Sequence, residues 1–340
     1  MQVKRARTNV RESPETNLLA EVARAYYEQD LTQEQIAREL GVSRSQVSRY
    51  LTEARNRGVV QIRIVAPEAR NRELEVRLKK RFSQLQHVVV ATVFTDRDSS
   101  IRMAVARAGA RLLEQLVTPD SVICFGAGRT LAHLVRLLTP MNLRNVSVVQ
   151  AMGNAGHQGL EIDYNAISQA AAAAFGGRAY QINAPAILGK GARAAELEAS
   201  SPQLAEALRL ARTADLFVVG VGTLSLDEIY VSTGLIKETD LRSLRREGAV
   251  GDICGNFFDE DGRPRPSLFH DRVVGVRLDD LRRARLALAC AGGEEKGAAL
   301  FGALTGRWIN ALVTDEVTAR TVLDRAGRSA AGLAQAGPRS

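Results

Sequence analysis

The stretch LTQEQIARELGVSRSQVSRYL, Leu31–Leu51, contains two helix starts separated by a glycine stop. Thr32 and Gln35 have the T-x-x-Q spacing of a capping box, in which each satisfies a backbone donor beside the other. Ile36, Ala37 and Leu40 then form an apolar face, and Gly41 supplies the left-handed conformation that a sharp turn needs. A second start follows at Ser43, again with a capping pair, Ser43 and Gln46. Val47, Tyr50, Leu51 and Ala54 face inward, leaving Arg44, Ser45, Gln46, Ser48 and Arg49 on or beside the outer face. Upstream, Leu18, Leu19, Val22, Ala23, Ala25, Tyr26 and Tyr27 mark a first helix ending near Gln29–Asp30.

A short helix, a glycine turn and a second helix is the geometry that carries side chains into a DNA major groove. Arg bridges guanine O6 and N7, and Gln pairs with adenine N6 and N7. From Ser43 to Arg63 there are five Arg and one Glu, the cationic balance that phosphates require. The candidate DNA contacts are Thr32, Gln33, Ser43, Arg44, Ser45, Gln46, Ser48, Arg49 and Arg55. Arg44, Gln46 and Arg49 are assigned to bases, and Arg55, Arg57 and Lys4–Arg7 to phosphates. The alternating run Val59–Val65 reads as a strand, the wing of a winged-helix-like unit. The competing reading is a three-helix packing unit that does not touch DNA.

The chain has 340 residues, 45% hydrophobic and 25% charged, with a formal charge of +8. That length suits two domains in the globular class, large enough to bury a core without disulfides. Cys124, Cys254 and Cys290 are far apart in sequence with no CxxC pair, so they read as small buried hydrophobes in a reducing cytoplasm. Neither a metal site nor a cofactor is expected. No run of about 18 apolar residues exists to span a membrane, and the basic start of the chain has no apolar signal-peptide core.

The expected organisation is a basic flexible tail over 1–15, a helix-turn-helix unit over 16–65 and a linker helix over 66–84. An α/β effector and oligomerisation domain follows over 85–328, then a disordered tail over 329–340. The N-terminal tail reads either as an arm along DNA phosphates or as a solvated leader. The charged stretch Pro67–Arg81 reads as an exposed connector helix. Beyond it, strands are expected over 87–93, 121–125, 145–150, 214–221, 273–276, 286–291 and 309–313. Helices are expected over 99–116, 129–138, 165–175, 202–211, 294–304 and 315–323. Continuous apolar strands separated by helices predict a mostly parallel sheet covered on both faces.

In such folds ligands sit at the carboxyl ends of strands. Gly126-Ala127-Gly128-Arg129-Thr130 follows an apolar strand and opens a helix, so backbone N–H groups and two side-chain donors converge. By itself the motif serves equally as a plain turn, and it lacks both the GKS/T end of a P-loop and the third glycine of a dinucleotide fingerprint. Gly220-Val221-Gly222 repeats the logic, and Gly292-Gly293 precedes Lys296 in the first turn of a helix. Asp252 among glycines, and Glu161, Asp163 and Asn165 beyond Gly159, suit the hydroxyls of a polyol or the demands of a turn.

Together these segments resemble the SorC family of bacterial regulators from Leu18 to about Leu323. The resemblance rests on Leu31–Leu51, GRTL (Gly128–Leu131), INAPA (Ile182–Ala186), GAVGDICGNFFDEDG (Gly248–Gly262), AGGEEKGAAL (Ala291–Leu300) and INALVTDEVTAR (Ile309–Arg320). It implies an effector domain similar to sugar-phosphate isomerases and deaminases. It also implies a homotetramer built as a pair of dimers, whose affinity for operator DNA responds to a sugar, polyol or phosphosugar. By motif the effector contacts map to Gly128, Arg129, Thr130, Asp163, Asn165, Asp252 and Lys296, to which the glycine turns add Gly126 and Gly222. Many relatives carry Ser-Trp before the GRT triplet; here Gly126 and Ala127 stand there instead, which removes an aromatic from the pocket lip. The rival function is a sugar-phosphate isomerase or deaminase fused to a DNA module. Such chemistry wants a carboxylate beside a His or Lys; of the four histidines, His87 and His133 fall in a strand and a helix and read as packing residues, and His157 and His270 read as loop residues without an obvious partner.

Overall fold

The computed structural model describes residues 14–60, 69–95, 97–154, 163–225, 234–265 and 269–335. The chain forms two compact units, residues 1–67 and 68–340.

In the first unit, helices α1 (Pro14–Tyr27), α2 (Gln33–Leu40) and α3 (Arg44–Asn56) enclose a small core of Val22, Ile36, Ala37, Val47 and Leu51. The Thr32–Gln35 capping box is complete: Thr32 N donates to Gln35 Oε1 at 2.8 Å, and Gln35 N donates to Thr32 Oγ1 at 3.3 Å. Gly41, with φ 66°, ends α2. The cap on α3 is one-sided. Ser43 Oγ accepts from Gln46 N at 3.2 Å and shares a hydrogen with Ser45 Oγ at 2.8 Å. Val59 and Val60 are not a strand; they fold back on α1 and α3, where Val60 N donates to Ala54 O at 3.0 Å. The rest of the expected wing, 61–65, lies outside the described residues.

The second unit is a mixed α/β fold on a seven-stranded parallel sheet. Its strands are β1 (His87–Ala91), β2 (Val122–Phe125), β3 (Ser147–Gln150), β4 (Arg178–Tyr180), β5 (Leu216–Val219), β9 (Leu286–Cys290) and β10 (Ala311–Asp315). The spatial order is β1-β10-β9-β5-β2-β3-β4. A separate antiparallel sheet joins β6 (Gly222–Thr223), β7 (Ala249–Ile253) and β8 (Asn256–Asp259). The apolar run 214–221 therefore stops pairing at Val219, and the chain continues into the second sheet. Val273–Val276 forms no regular strand and is tied by isolated bridges, Ile187 to Val273 and Met152 to Gly275.

Both faces of the large sheet are buried. Ile123, Phe125, Val148, Leu216, Val218, Leu288 and Val313 pack under α5 (Asp98–Leu116), α6 (Arg129–Leu137) and α7 (Tyr164–Phe175). Val88, Val90, Cys124, Val149, Phe217, Val219, Ala289 and Leu312 point to the other side. That side is covered by α4 (Arg72–Arg81), α9 (Pro202–Arg212), α10 (Glu238–Arg246), α11 (Leu278–Arg283), α12 (Gly297–Thr305) and α13 (Glu316–Gln335). A short α8 (Ala194–Ser200) completes a satellite core with α9 around Ile182, Leu188, Leu208 and Val274. Lys296 stands in a 3-10 turn, Glu294–Lys296, ahead of α12 rather than in its first turn. The last helix continues to Gln335, past the expected boundary at 328.

Helix α4 is not an exposed connector. Leu74 and Leu78 are buried in the main core, and the buried Glu75 accepts from Arg70 Nε at 2.8 Å and from Val90 N at 3.1 Å. Only a narrow stripe is apolar, so a composition dominated by charge hid it. Removing the Leu78 side chain leaves a cavity in a closed core, and Leu78→Ala is expected to lower unfolding free energy by ~2–5 kcal/mol. Val76→Ala, at a position 65% exposed, should stay within about 0.5 kcal/mol. Urea melts of the two variants check this; equal small effects would return α4 to the status of a solvated connector.

Candidate functional site

Helix α3 is built as a ridge. Val47, Leu51 and Ala54 are its buried stripe. At about 100° per residue, Ser45, Arg49, Thr52 and Asn56 lie opposite that stripe. Arg44, Ser48 and Arg55 occupy one flank; Gln46, Glu53 and Arg57 occupy the other. The second flank borders a groove of about 400 Å³ between α1 and α3, lined by Leu18, Leu19, Gln46, Arg49, Tyr50 and Glu53 among others. Arg44 and Arg49 are exposed and carry no ion pair among the described residues, so their guanidinium groups are available. Arg57 is differently placed, its Nε paired to Glu53 at 2.6 Å, and Arg55 leans on Thr52 Oγ1 at 3.4 Å.

The hydroxyls of Thr32 and Ser43 are committed to helix caps. What they leave at the heads of α2 and α3 are first-turn backbone N–H groups without intrahelical acceptors, which suit phosphate oxygens. Gln33 is half-buried at the head of α2, whereas Ser45 and Ser48 are exposed. Thr52 and Asn56 are the positions the sequence reading passed over, although the spacing of Val47, Leu51 and Ala54 places them on the outer ridge.

A second candidate site follows from the strand order. From β2 the connections step outward through β3 to β4; from β5 they step the other way through β9 to β10. The reversal falls between neighbouring strands β2 and β5, and at such a point the loops leave in opposite directions and open a crevice at the carboxyl edge. Three glycine turns meet there. Gly126 N donates to Val218 O at 2.8 Å, and a Cβ at Gly220 would lie 3.7 Å from Ala127 O. Gly292 and Gly293 leave the end of β9, the next strand over. Gly128 is the N-cap of α6, followed by the exposed Arg129 and half-buried Thr130.

The β7–β8 hairpin closes one side. Asp252 stands on β7, paired with Gly222 of β6, and not on a loop as its glycine neighbours suggested. It is 2% exposed and its Oδ2 accepts from Gly255 N at 2.8 Å. A Cβ on Gly222 would lie 2.0 Å from Asp252 Oδ1, so the carboxylate rests over the glycine and needs it. Cys254, in the hairpin turn, comes within 3.6 Å of a Cβ built on Gly126. Strand β6 packs against the 3-10 turn that carries the half-buried Lys296. Gly126, Gly128, Arg129, Thr130, Gly222, Asp252 and Lys296 thus all belong to elements converging on this edge.

Asp163 and Asn165 belong one strand further out. Asp163 caps α7, its Oδ1 accepting from Asn165 N at 2.8 Å and Ala166 N at 3.2 Å. Asn165 Oδ1 accepts from Gln150 Nε2 at 2.6 Å, and Gln150 Oε1 takes Ile182 N at 2.6 Å. Gln150 is buried at the carboxyl end of β3. The sequence reading missed it, though a polar residue closing an apolar strand run was the available signal. Glu161 lies outside the described residues.

Burial pushes the thiols of Cys254 and Cys290 up to about 12 and that of Cys124 well above its usual value, with the Asp252 charge adding to Cys254. They are neutral, unpaired and buried. Among the described residues no group of His, Cys, Asp and Glu is arranged to hold a metal ion.

Residues 67–324 match a family model described as "Putative sugar-binding domain", and residues 20–57, from within α1 to just past the end of α3, match sigma-70 region 4. The chain is 30% identical over 307 residues to the deoxyribonucleoside regulator of Bacillus subtilis, covering 90% of this chain and 97% of that one. It is 31% identical over 324 residues to the sorbitol operon regulator of Klebsiella pneumoniae, covering 92% and 99%. The crystal structure of the full-length sorbitol operon regulator SorC from Klebsiella pneumoniae is similar with a TM-score of 0.67 and 30% identity, covering 92% of this chain and all (100%) of that one. With a helix-turn-helix unit ahead of a sugar-binding domain that matches over most of its length, the chain belongs to the SorC family of transcriptional regulators.

Proposed function

We propose that this regulator binds the operator of a carbohydrate or polyol operon and that a sugar, polyol or phosphosugar in the β2/β5 crevice sets its affinity. The observation that carries the effector half is the buried carboxylate of Asp252 lying over Gly222 at a strand-order reversal. A carboxylate held there accepts hydrogen bonds from hydroxyl groups. The N–H groups of Gly128–Thr130, Arg129 and Lys296 supply the opposite polarity, suited to a phosphate or further hydroxyls. Asn165, next to Gln150, extends the polar lining toward β3. Asp163 serves chiefly to cap α7.

Binding rather than turnover is favoured by the chemistry of the mouth. Of the described histidines, His87 starts β1, His133 lies within α6 and His270 is in a 3-10 turn, so none is at a strand end of the crevice. Burial and the nearby Lys79 and Arg285 charges also lower the His87 pKa, which disfavours its charged form. An effector shifts the equilibrium between two arrangements only by its differential affinity for them. A homotetramer of paired dimers would turn that shift into a change of spacing between DNA readers on a pseudo-palindromic operator. The cytoplasm, where operator DNA is reached, is its assigned location.

For DNA, Arg49 at the centre of the ridge and Arg44 beside it are the base-reading guanidinium groups, with Gln46 at the groove edge. Arg55 and the heads of α2 and α3, at Thr32–Gln33 and Ser43–Ser45, meet phosphates, and Ser48 lies between the two roles. Arg49→Ala is expected to weaken operator binding by ~1–3 kcal/mol and to relax discrimination at one base pair. Titration against a panel of single-base operator variants measures both effects; wild-type affinity and an unchanged preference would remove Arg49 from the base readers.

The effector is tested by thermal shift against sugars, polyols and their phosphates. A ligand at 100 times its Kd stabilises the native state by ~2.7 kcal/mol. Asp252→Asn should lose most of that gain while the apo melting temperature changes little. If no compound of the three classes raises the wild-type melting temperature, the crevice is not a sugar site.

A further inference from the structure

The last helix begins with two adjacent acids whose side chains hold different parts of the second unit. Asp315, fully buried, closes β10 and precedes α13. Its Oδ1 accepts from Thr318 N at 3.1 Å, the bond of a helix N-cap, and its Oδ2 accepts from Gly293 N at 2.9 Å. The Thr318 hydroxyl lies 2.9 Å from Gly293 N, and its one proton is shared between Asp315 Oδ2 at 2.5 Å and Gly293 O at 3.0 Å. The backbone of Gly293, three residues before Lys296, is therefore gripped on both its polar atoms by the head of α13. Nothing about capping requires this, since the cap is complete without Gly293.

Glu316 looks the other way. Its Oε1 accepts from Asn71 Nδ2 at 2.6 Å and from Thr92 Oγ1 at 3.4 Å. Asn71 in turn caps α4, its Oδ1 accepting from Leu74 N at 3.1 Å, and its own N–H donates to Val90 O at 2.9 Å. It stands four positions after Pro67, where the first unit ends. One residue step along a single helix terminus thus separates the grip on the Gly293 turn from the grip on the segment where the chain enters the second unit.

We infer that Asp315 and Glu316 are positioning residues of a relay: displacement of the Gly292–Lys296 turn moves the head of α13 and, through Asn71, the start of α4. The inference rests on the crevice reading only for what displaces the turn. Coupling of this kind is carried by rigid elements joined through hydrogen bonds, and it acts in both directions. A perturbation at either end must then be felt at the other, with or without a ligand.

Amide hydrogen exchange on the full-length chain without ligand reads this directly. Asn71→Asp keeps an equally good cap on α4 but replaces the donor facing Glu316 with a carboxylate oxygen. Exchange in residues 293–297 should quicken by about fivefold or more, the low end of ordinary coupling. Adding Glu316→Gln restores a donor–acceptor pair with reversed polarity, and exchange should return to the wild-type rate. From the other end, Thr318→Val should quicken exchange in residues 73–75, and Thr318→Ser, which keeps the hydroxyl, should not. The relay is overturned if each variant loosens only its own end, or if Asn71→Asp/Glu316→Gln leaves the Gly293 turn as fast as Asn71→Asp alone. Should Thr318→Val fail to fold, the Asn71 arm decides by itself. Because no ligand enters, a failure of the sugar reading leaves this result intact, and a failure here leaves that reading intact.

Discussion

Burial of both faces of a parallel sheet is the constraint on which the second unit depends. Along β5, Leu216 and Val218 pack toward α5–α7 while Phe217 and Val219 pack toward α10–α13. With helices on both faces, polar function is left to the strand ends, where backbone N–H and C=O groups emerge without ladder partners. The reversal of strand order between β2 and β5 then selects one place along that edge where the covering loops part. The glycine turns at Gly126, Gly220 and Gly292 lie along that edge, and at Gly292 a side chain would press on Asp315 and Val105.

A polar residue at such a mouth has two possible employments, and hydrogen-bond partners separate them. Thr32, Ser43 and Asp163 spend their oxygens on first-turn N–H groups, so their contribution to a site is through the helix ends they hold open. Arg57 is occupied by Glu53. Arg44 and Arg49 stand on the outer surface of α3 with no such partner among the described residues. Asp252 does both: its Oδ2 accepts from Gly255 N across the hairpin turn, while its buried carboxylate also lies over the backbone of a facing strand.

The sequence made the regular parts legible because periodicity survives wherever one face is broad and apolar. The helices α5, α6, α7 and α9 and the strand β9 fall within about one residue of their expected bounds, close to the ordinary disagreement over element ends. What failed to show had local causes. Gly251 reads as a turn glycine, yet it sits in β7 because a Cβ there would come 2.5 Å from the Cβ of Ala299 on α12. In sequence the hairpin of β7 and β8 therefore reads as loop. Helix α4 hid its Leu74–Leu78 stripe among charges, and its buried Glu75 is tolerable only with Arg70 and Val90 N as partners from outside the helix. On α3 the outward positions Thr52 and Asn56 were readable from the same spacing that fixed the core. Gln150 depends on Asn165 and Ile182, which are brought to it only by the fold.

Acids at the head of α13 are favoured by the helix dipole whatever they touch, so Asp315 and Glu316 need no functional account on electrostatic grounds. Their partners are another matter. A capping acid needs only the N–H groups of its own first turn, and Thr318 N meets that need for Asp315. Gly293 and Asn71 are far apart in the second unit's sequence, and each brings a polar atom that would otherwise have to find water. Joining them through one terminus makes the geometry of the crevice lip and that of the chain's entry segment depend on the same few dihedral angles. Within the second unit this helix head is hydrogen-bonded on both sides, to the turn after β9 and to the segment that leads into α4.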